Sequence, residues 1–276
     1  LNSSAKNKLD KILSDNKSGS TKVLLKLIKW SKDYAGDKKT LLGMIDITNS
    51  RLKAFSTVQS FTKEFRKIID KNNKTQILDF INKQYEEIDN RYSNLFKNSL
   101  PYLKNCKRIV TLSNSKTVIE ILKRLNEKKK IFVTVAESRP QLEGRIMAKE
   151  LLKNKIKVEI IPEALLPNAV EKADVAISGA DIILSNGNIV NKTGSRSLAI
   201  LCKYFKKPFY VLSTSDKFSK KKKYVPEKRD SGEIWKYGHK YLTKTNFYFE
   251  VVEKKLITKV ITDKNSKVKS RKSKIA

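Results

Sequence analysis

At Lys107 the hydrophobic pattern of the chain changes period, and no other feature of the sequence restricts the fold as much. Before it the repeat is helical: Val23, Leu27, Trp30 and Tyr34 recur at i, i+4, i+7 and i+11, behind Ser20 as an N-cap. A second helical face joins Ile77, Ile81, Tyr85, Ile88, Tyr92 and Leu95, with Thr75 as the expected cap and Pro101 as the expected stop. After Lys107, short β-branched runs alternate with amphipathic stretches, the pattern of βαβ units around a parallel sheet. Strands are predicted at Arg108–Leu112, Ile131–Ala136, Val158–Ile161, Val175–Ser178 and Phe209–Leu212. Helices are predicted between them at Ser115–Asn126, Leu142–Leu152, Leu165–Glu171 and Ser195–Tyr204. The fold expected is α/β: a helical N-terminal domain over residues 1–104, then a Rossmann-like parallel-sheet domain over 105–276 with a basic C-terminal tail.

A hydrophobic fraction of 39% in 276 residues is enough for a packed core, which excludes global disorder. The formal charge of +32 points toward nucleic acid, since dense cations release counterions from phosphates. The cations are mainly Lys and dispersed, however, and Lys lacks the planar fork with which Arg reads bases and phosphates. Weak, non-specific, salt-dependent nucleic-acid binding is therefore expected, and Lys220–Lys223 and Lys264–Lys274 read as solvated segments. Cys106 and Cys202 stand alone, so neither a disulfide framework nor a metal site is expected, and no cofactor is implied. No apolar run approaches the roughly 20 residues that span a bilayer, and no signal peptide is recognisable, which predicts a cytoplasmic protein without membrane contact.

Open parallel sheets bind ligands beyond the carboxyl ends of their strands, and those ends are polar here. They carry Ser113-Asn114-Ser115, Glu137-Ser138-Arg139-Pro140, Gly179-Ala180-Asp181 and Asn191-Lys192-Thr193-Gly194-Ser195. Ser113–Ser115 and Thr193–Ser195 each precede a helix whose first amides suit a phosphate, and Lys192 adds positive charge. The expected ligand set is Ser113, Asn114, Ser115, Glu137, Arg139, Gly179, Asn191, Lys192, Gly194 and Ser195, with a phosphorylated sugar or nucleotide as ligand. Asp181, directly after a buried strand, is the candidate acid/base group. Glu137 and Arg139 either contact the ligand or pair with each other, and His239 reads as structural. Neither GxGxxG nor a P-loop is present, which disfavours dinucleotide redox chemistry and P-loop phosphoryl transfer.

The stretch Val133–Gly144, with its Glu-Ser-Arg-Pro core, resembles the α, β and δ subunits of translation initiation factor 2B and their enzyme relatives. Those relatives are methylthioribose-1-phosphate isomerase and ribose-1,5-bisphosphate isomerase. Gly179-Ala180-Asp181, Asn186-Gly187, Asn191–Ser195, Lys207–Val211, and the ending from Phe249-Glu250 through Leu256-Ile257 to Val260–Thr262 resemble further blocks of that family in its order. The resemblance covers about Arg108 to Thr262, with Lys17–Ser20 an echo in the helical part. It implies a pocket between the two domains, homodimerisation involving Phe247–Val252 and Leu256–Ile261, and companion translation-factor subunits. It also implies an isomerase pair of cysteine and aspartate, in which Asp181 matches the aspartate, Ser113 stands at the cysteine position and Leu112 at that of the preceding histidine. The Arg-Gly-Ala block of the isomerases has no counterpart. The function expected is that of a regulatory, non-catalytic or weakly catalytic subunit-like protein that binds a phosphorylated sugar or nucleotide, with a divergent aldose-ketose isomerase and a basic RNA-binding protein as the alternatives.

Overall fold

The computed structural model describes residues 2–15, 20–53 and 55–264. Lys17–Gly19 and the tail beyond Lys264 lie outside the described residues. Five helices come first: α1 (Ser3–Leu13), α2 (Ser20–Asp33), α3 (Lys38–Arg51), α4 (Ser56–Lys71) and α5 (Lys74–Leu103). Their apolar stripes enclose one core around Leu9, Leu27, Met44, Phe65 and Ile81, all fully buried. Burying side chains of this size contributes about 1.5–3 kcal/mol each, which offsets the chain entropy lost on ordering. Phe65 stacks on Phe80 at 5.5 Å, and the Trp30 indole donates to the Ala5 carbonyl at 3.3 Å, fastening α2 to α1.

The long helix α5 departs from its sequence reading at both ends. It starts at a capping box of Asn73 and Gln76, so Thr75 lies inside it. It also runs through Pro101 to Leu103. A proline this close to the end removes one helical hydrogen bond, and the burial of Leu103 holds the last turn. Ile77, Ile81, Ile88 and Tyr92 belong to the helical core, whereas Leu95 and Leu103 belong to a core under the sheet. One rigid element thus couples the two parts of the molecule.

The main sheet contains β1 (Arg108–Leu112), β2 (Phe132–Ala136), β3 (Lys157–Ile161), β4 (Val175–Ser178), β7 (Phe209–Ser213) and β9 (Lys259–Thr262). Its order is β3-β2-β1-β4-β7-β9, and every pairing is parallel. Between the strands come α6 (Lys116–Lys128), α7 (Glu143–Lys153), α8 (Leu166–Lys172) and α9 (Ser195–Tyr204). Ile109 and Ile177 face a core shared with α6 and α7, while Val110 and Ala176 face a second core shared with α8 and α9. Burial on both faces is why these strands read as continuous apolar runs. The chain moves outward from β1 to β3 and then returns to β4 on the other side of β1. That reversal places a topological switch point between the carboxyl ends of β1 and β4.

A small antiparallel sheet of β5 (Ile182–Ile183), β6 (Ile189–Lys192) and β8 (Phe249–Val252) is an element the periodicity did not reveal. Its hairpin turns at Asn186-Gly187, where Gly187 has φ of 86° and donates to the Leu184 carbonyl at 2.9 Å. Within the C-terminal segments expected at a dimer interface, Val252 and Ile261 are buried inside the protomer, and Val251, Ile257 and Val260 are half-buried. Among the described residues no helix is long and apolar enough to cross a membrane.

Candidate functional site at the strand switch point

A cavity of about 170 Å³ opens at the switch point, between the helical domain and the carboxyl edge of the sheet. Its floor comes from Ser113–Thr117 after β1, Gly179–Asp181 after β4, and Asn191 and Lys192 at the end of β6. Its roof comes from Leu13, Ser20, Thr21, Leu52 and Phe55 of the helical domain. Ser113, Asp181 and Asn191 therefore line one space, as do Asn114, Ser115, Gly179 and Lys192.

The floor is tightly built. Ser113 and Ser138 adopt left-handed backbone conformations, with φ of 63° and 66°, a region uncommon for non-glycine residues. They are tied together: the Ser113 amide donates to Ser138 Oγ at 2.7 Å, and the Ser138 amide to Glu163 Oε1 at 2.5 Å. Ser115 caps α6 by accepting from the Val118 amide at 3.3 Å. Gly179 packs so closely that a Cβ would lie 2.5 Å from Ser115 Oγ. At Gly144 a Cβ would lie 2.0 Å from the Ala136 carbonyl oxygen, so α7 can seat its first turn beside the cavity only with glycine there.

The charges are arranged differently from the sequence expectation. Lys192 is almost fully buried, its Nζ 2.5 Å from Glu143 Oε1 and 4.6 Å from the centre of the Tyr248 ring. Its charge is neutralised by that carboxylate rather than held open for a ligand. Among the described residues, Glu143 Oε2 has no hydrogen-bond partner in this buried place. Lys217, in the segment after β7, is only 6% exposed and donates to Ser20 Oγ, and among the described residues it forms no ion pair. Burial pushes the Asp181 carboxyl above the ordinary carboxylate range, and Lys217 and Lys192 offset part of that rise. Among the described residues its carboxylate accepts no hydrogen bond, while its backbone amide donates to the Val190 carbonyl at 2.9 Å.

Four expected ligand residues lie elsewhere. The Gly194 and Arg196 amides donate to Glu250 Oε1 at 2.7 and 2.9 Å, so the start of α9 already holds an anion. Ser195 Oγ accepts from Asn191 Nδ2 at 2.8 Å and donates to the Lys192 carbonyl at 2.6 Å, which locks the β6–α9 turn. Glu137 pairs with Arg145 at 2.7 Å and not with Arg139, because one turn of α7 brings Arg145 back over the β2 end. Arg139 is exposed. His239 is also exposed, flanked by the Tyr237 and Tyr241 rings at 6.5 and 5.6 Å. The residues missed were Glu143, Lys217 and Tyr248. Lys217 was the findable one, since it follows a predicted strand as the other candidates do.

The Initiation factor 2 subunit family model matches residues 44–265, which is most of the chain. The chain belongs to that family. A Pyrococcus horikoshii protein named translation initiation factor eIF-2B subunit 2-like is 41% identical over 111 residues, covering 40% of each chain. A Thermotoga petrophila methylthioribose-1-phosphate isomerase is 31% identical over 233 residues, or 76% of this chain and 68% of that one. The match to the first relative thus spans well under two thirds of its length, whereas the isomerase match is longer. In fold, the solved Pyrococcus horikoshii translation initiation factor eIF-2B superposes with a TM-score of 0.75 at 23% identity, over 95% of this chain and 96% of that one. The family therefore contains both translation-factor subunits and sugar-phosphate isomerases.

The raised Asp181 carboxyl carries a sign that can be measured. A group that binds its proton more tightly folded than unfolded destabilises the fold above its folded pKa, and that penalty vanishes as pH falls through it. Asp181→Asn is expected to raise Tm at pH 8 by a few degrees, at about 2–4 °C per kcal/mol for domains of this size class. The gain should shrink toward pH 4. Thermal melts of both proteins across that range check it, and an equal shift at every pH would show that the charge is not the cause.

Proposed function

We propose that the protein is a regulatory, subunit-like member of its family that holds a phosphorylated sugar or nucleotide in the switch-point cavity. The observation that carries this reading is Lys217, a buried cation with no ion pair among the described residues, aimed at the space that Asp181 also lines. A buried cation that has only the field of nearby carboxylates and no ion pair is costly, and a phosphate in the cavity offsets that cost. The capped start of α6 borders the same space, so donors and positive charge converge on one anion. Companion subunits and a homodimeric state belong to the same proposal, supported by relatives that are named as subunits.

Catalysis is the weaker half of the site. Moving hydrogen between adjacent sugar carbons needs an acid/base group on each side of the substrate. Asp181, with its raised pKa, suits one side. On the other stands the Ser113 hydroxyl, which does not titrate near neutrality as a thiol of pKa about 8.5 does. The raised carboxyl is also the observation that favours a divergent isomerase as the second reading. The basic alternative draws on lysines dispersed along the sequence, which neutralise phosphates without reading bases.

Calorimetry with ribose 1,5-bisphosphate, methylthioribose 1-phosphate and AMP tests binding, and an isomerase assay on wild type, Asp181→Asn and Ser113→Cys tests chemistry. Binding with turnover slow or absent is expected, with a gain of activity in Ser113→Cys. Robust wild-type turnover that disappears in Asp181→Asn would replace the regulatory reading with the isomerase. Absence of binding by every ligand, together with tight binding of one RNA over a scrambled control, would replace both with RNA binding.

A further inference from the structure

Residues 218–247, between β7 and β8, form a loop around one short 3-10 turn, Ser231–Glu233. Past that turn the chain carries a ring at every second position: Trp235, Tyr237, His239 and Tyr241. Such positions share one side of an extended chain, and here the rings meet. Trp235 and Tyr237 stack with centres 4.7 Å apart, Tyr237 and His239 lie within 7° of parallel at 6.5 Å, and His239 and Tyr241 follow at 5.6 Å. Polar contacts fix the ladder. Lys244 Nζ donates to the Trp235 and Tyr237 carbonyls at 2.8 and 3.0 Å, and the Tyr241 amide donates to His239 Nδ1 at 3.2 Å. All four rings are nevertheless exposed, Tyr241 by 83%. A contiguous exposed surface of this kind marks an interaction site, whereas singly scattered rings do not.

The charge along the ladder has one sign. From Ile234 to Phe247 the sequence holds Lys236, Lys240 and Lys244 and no carboxylate. Lys236 and Lys240 form no ion pair among the described residues, and Lys240 Nζ lies 4.9 Å from the centre of the Tyr241 ring. The carboxylates just before this stretch are engaged: Glu227 with Arg229 at 2.8 Å, Asp230 with the Gly232 amide at 2.8 Å, and Glu233 with Asn246 at 3.0 Å and Tyr248 at 2.5 Å. Flat rings interleaved with uncompensated cations match a strand that offers flat bases and phosphates in alternation. A duplex keeps its bases stacked inside, and an acidic peptide would answer the cations but leave the rings in water. We propose that the Trp235–Tyr241 ladder binds single-stranded nucleic acid, with bases stacked against its rings and phosphates at Lys236 and Lys240. It reads strandedness and not sequence, because every base has a flat face. The site is separate from the switch-point cavity, and it adds a local, ring-dependent component to the diffuse attraction of the dispersed lysines.

Fluorescence anisotropy of the whole protein with a labelled oligoadenylate of about 12 nucleotides tests the site, against a G·C-rich RNA duplex of the same length. The single strand is expected to bind about tenfold or more tightly than the duplex. It should also quench Trp235, since the other tryptophan, Trp30, is buried. Tyr237→Ala combined with Tyr241→Ala should weaken the single strand by about tenfold or more and leave the duplex within about twofold. Lys236→Ala combined with Lys240→Ala should reduce the slope of log affinity against log salt by about 1.4. All four positions are exposed, and melts show that the variants fold. A duplex bound as tightly as the single strand, or a tyrosine variant within about twofold of wild type on the single strand, would leave only dispersed charge and remove the site. Binding to phosphatidylserine–phosphatidylcholine vesicles that the tyrosine variant loses, with single-strand affinity unchanged, would assign the ladder to a lipid surface. A lower sedimentation mass in that variant, again with single-strand affinity unchanged, would assign it to a contact between copies of this chain. Either outcome overturns the proposal.

Discussion

Lys192→Ala is expected to destabilise the protein by about 3–5 kcal/mol, a fall in Tm on the order of 10 °C. Lys192 and Glu143 are both nearly fully buried and lie 2.5 Å apart, and among the described residues Glu143 Oε2 has no hydrogen-bond partner. Removing the cation leaves a desolvated carboxylate at the start of α7 with nothing to balance it. Replacing both members, as Lys192→Met with Glu143→Leu, removes the charge along with its partner and should recover most of the loss, since an apolar pair of similar volume is often as stable as a buried ion pair. Equilibrium denaturation of the two single variants and the double variant forms the cycle that measures this coupling. A single variant within about 1 kcal/mol of wild type would show that the pair is not the buried unit described here. Loss of ligand binding in Lys192→Ala alone therefore says little about ligand contact, because the same change loosens the wall of the cavity.

Lys217→Met is expected to do the opposite: to lower affinity for phosphorylated ligands by about 100-fold while leaving stability equal or higher. Lys217 forms no ion pair among the described residues, so the ligand-free fold bears its desolvation with only the Ser20 hydroxyl and the field of nearby carboxylates in return. A charge-assisted bond to phosphate is worth about 1.5–3 kcal/mol, which is the stated loss of affinity at its upper end. The substitution also removes the larger of the two cationic influences that lower the Asp181 carboxyl. Asp181 should then hold its proton to higher pH, and a carbon-13 titration of its side chain reads that shift directly. Affinity within threefold of wild type would remove Lys217 from the site, and with it the observation on which the regulatory reading rests.

Five of the six main-sheet strands were legible to within one residue at each end: β1, β2, β4 and β7 are buried and read as apolar runs, as at Ile109, Val110 and Leu112, the largely exposed edge strand β3 was marked by its β-branched Val158, Ile160 and Ile161, and only β9 was not predicted. That Asp181 and Ser113 line one cavity was legible through a local rule, since a polar residue directly after a buried strand stands at the edge where a parallel sheet binds ligands. The local rule had no means of assigning partners. Lys192 meets Glu143 across 49 residues, and the amide of Gly194 meets Glu250 across 56, in each case because the small antiparallel sheet and α7 are folded against the same edge. That small sheet was itself hidden: β5 spans two residues and β8 is half-covered, too short and too irregular for a period to show. The sequence by itself determined which elements form and which ends of them are polar, because secondary structure and burial follow from the spacing of apolar side chains along the chain. Tertiary structure decided which charges neutralise each other and which, like that of Lys217, remain without an ion pair, because that depends on distances between segments far apart in sequence and on how much water the packing leaves between them.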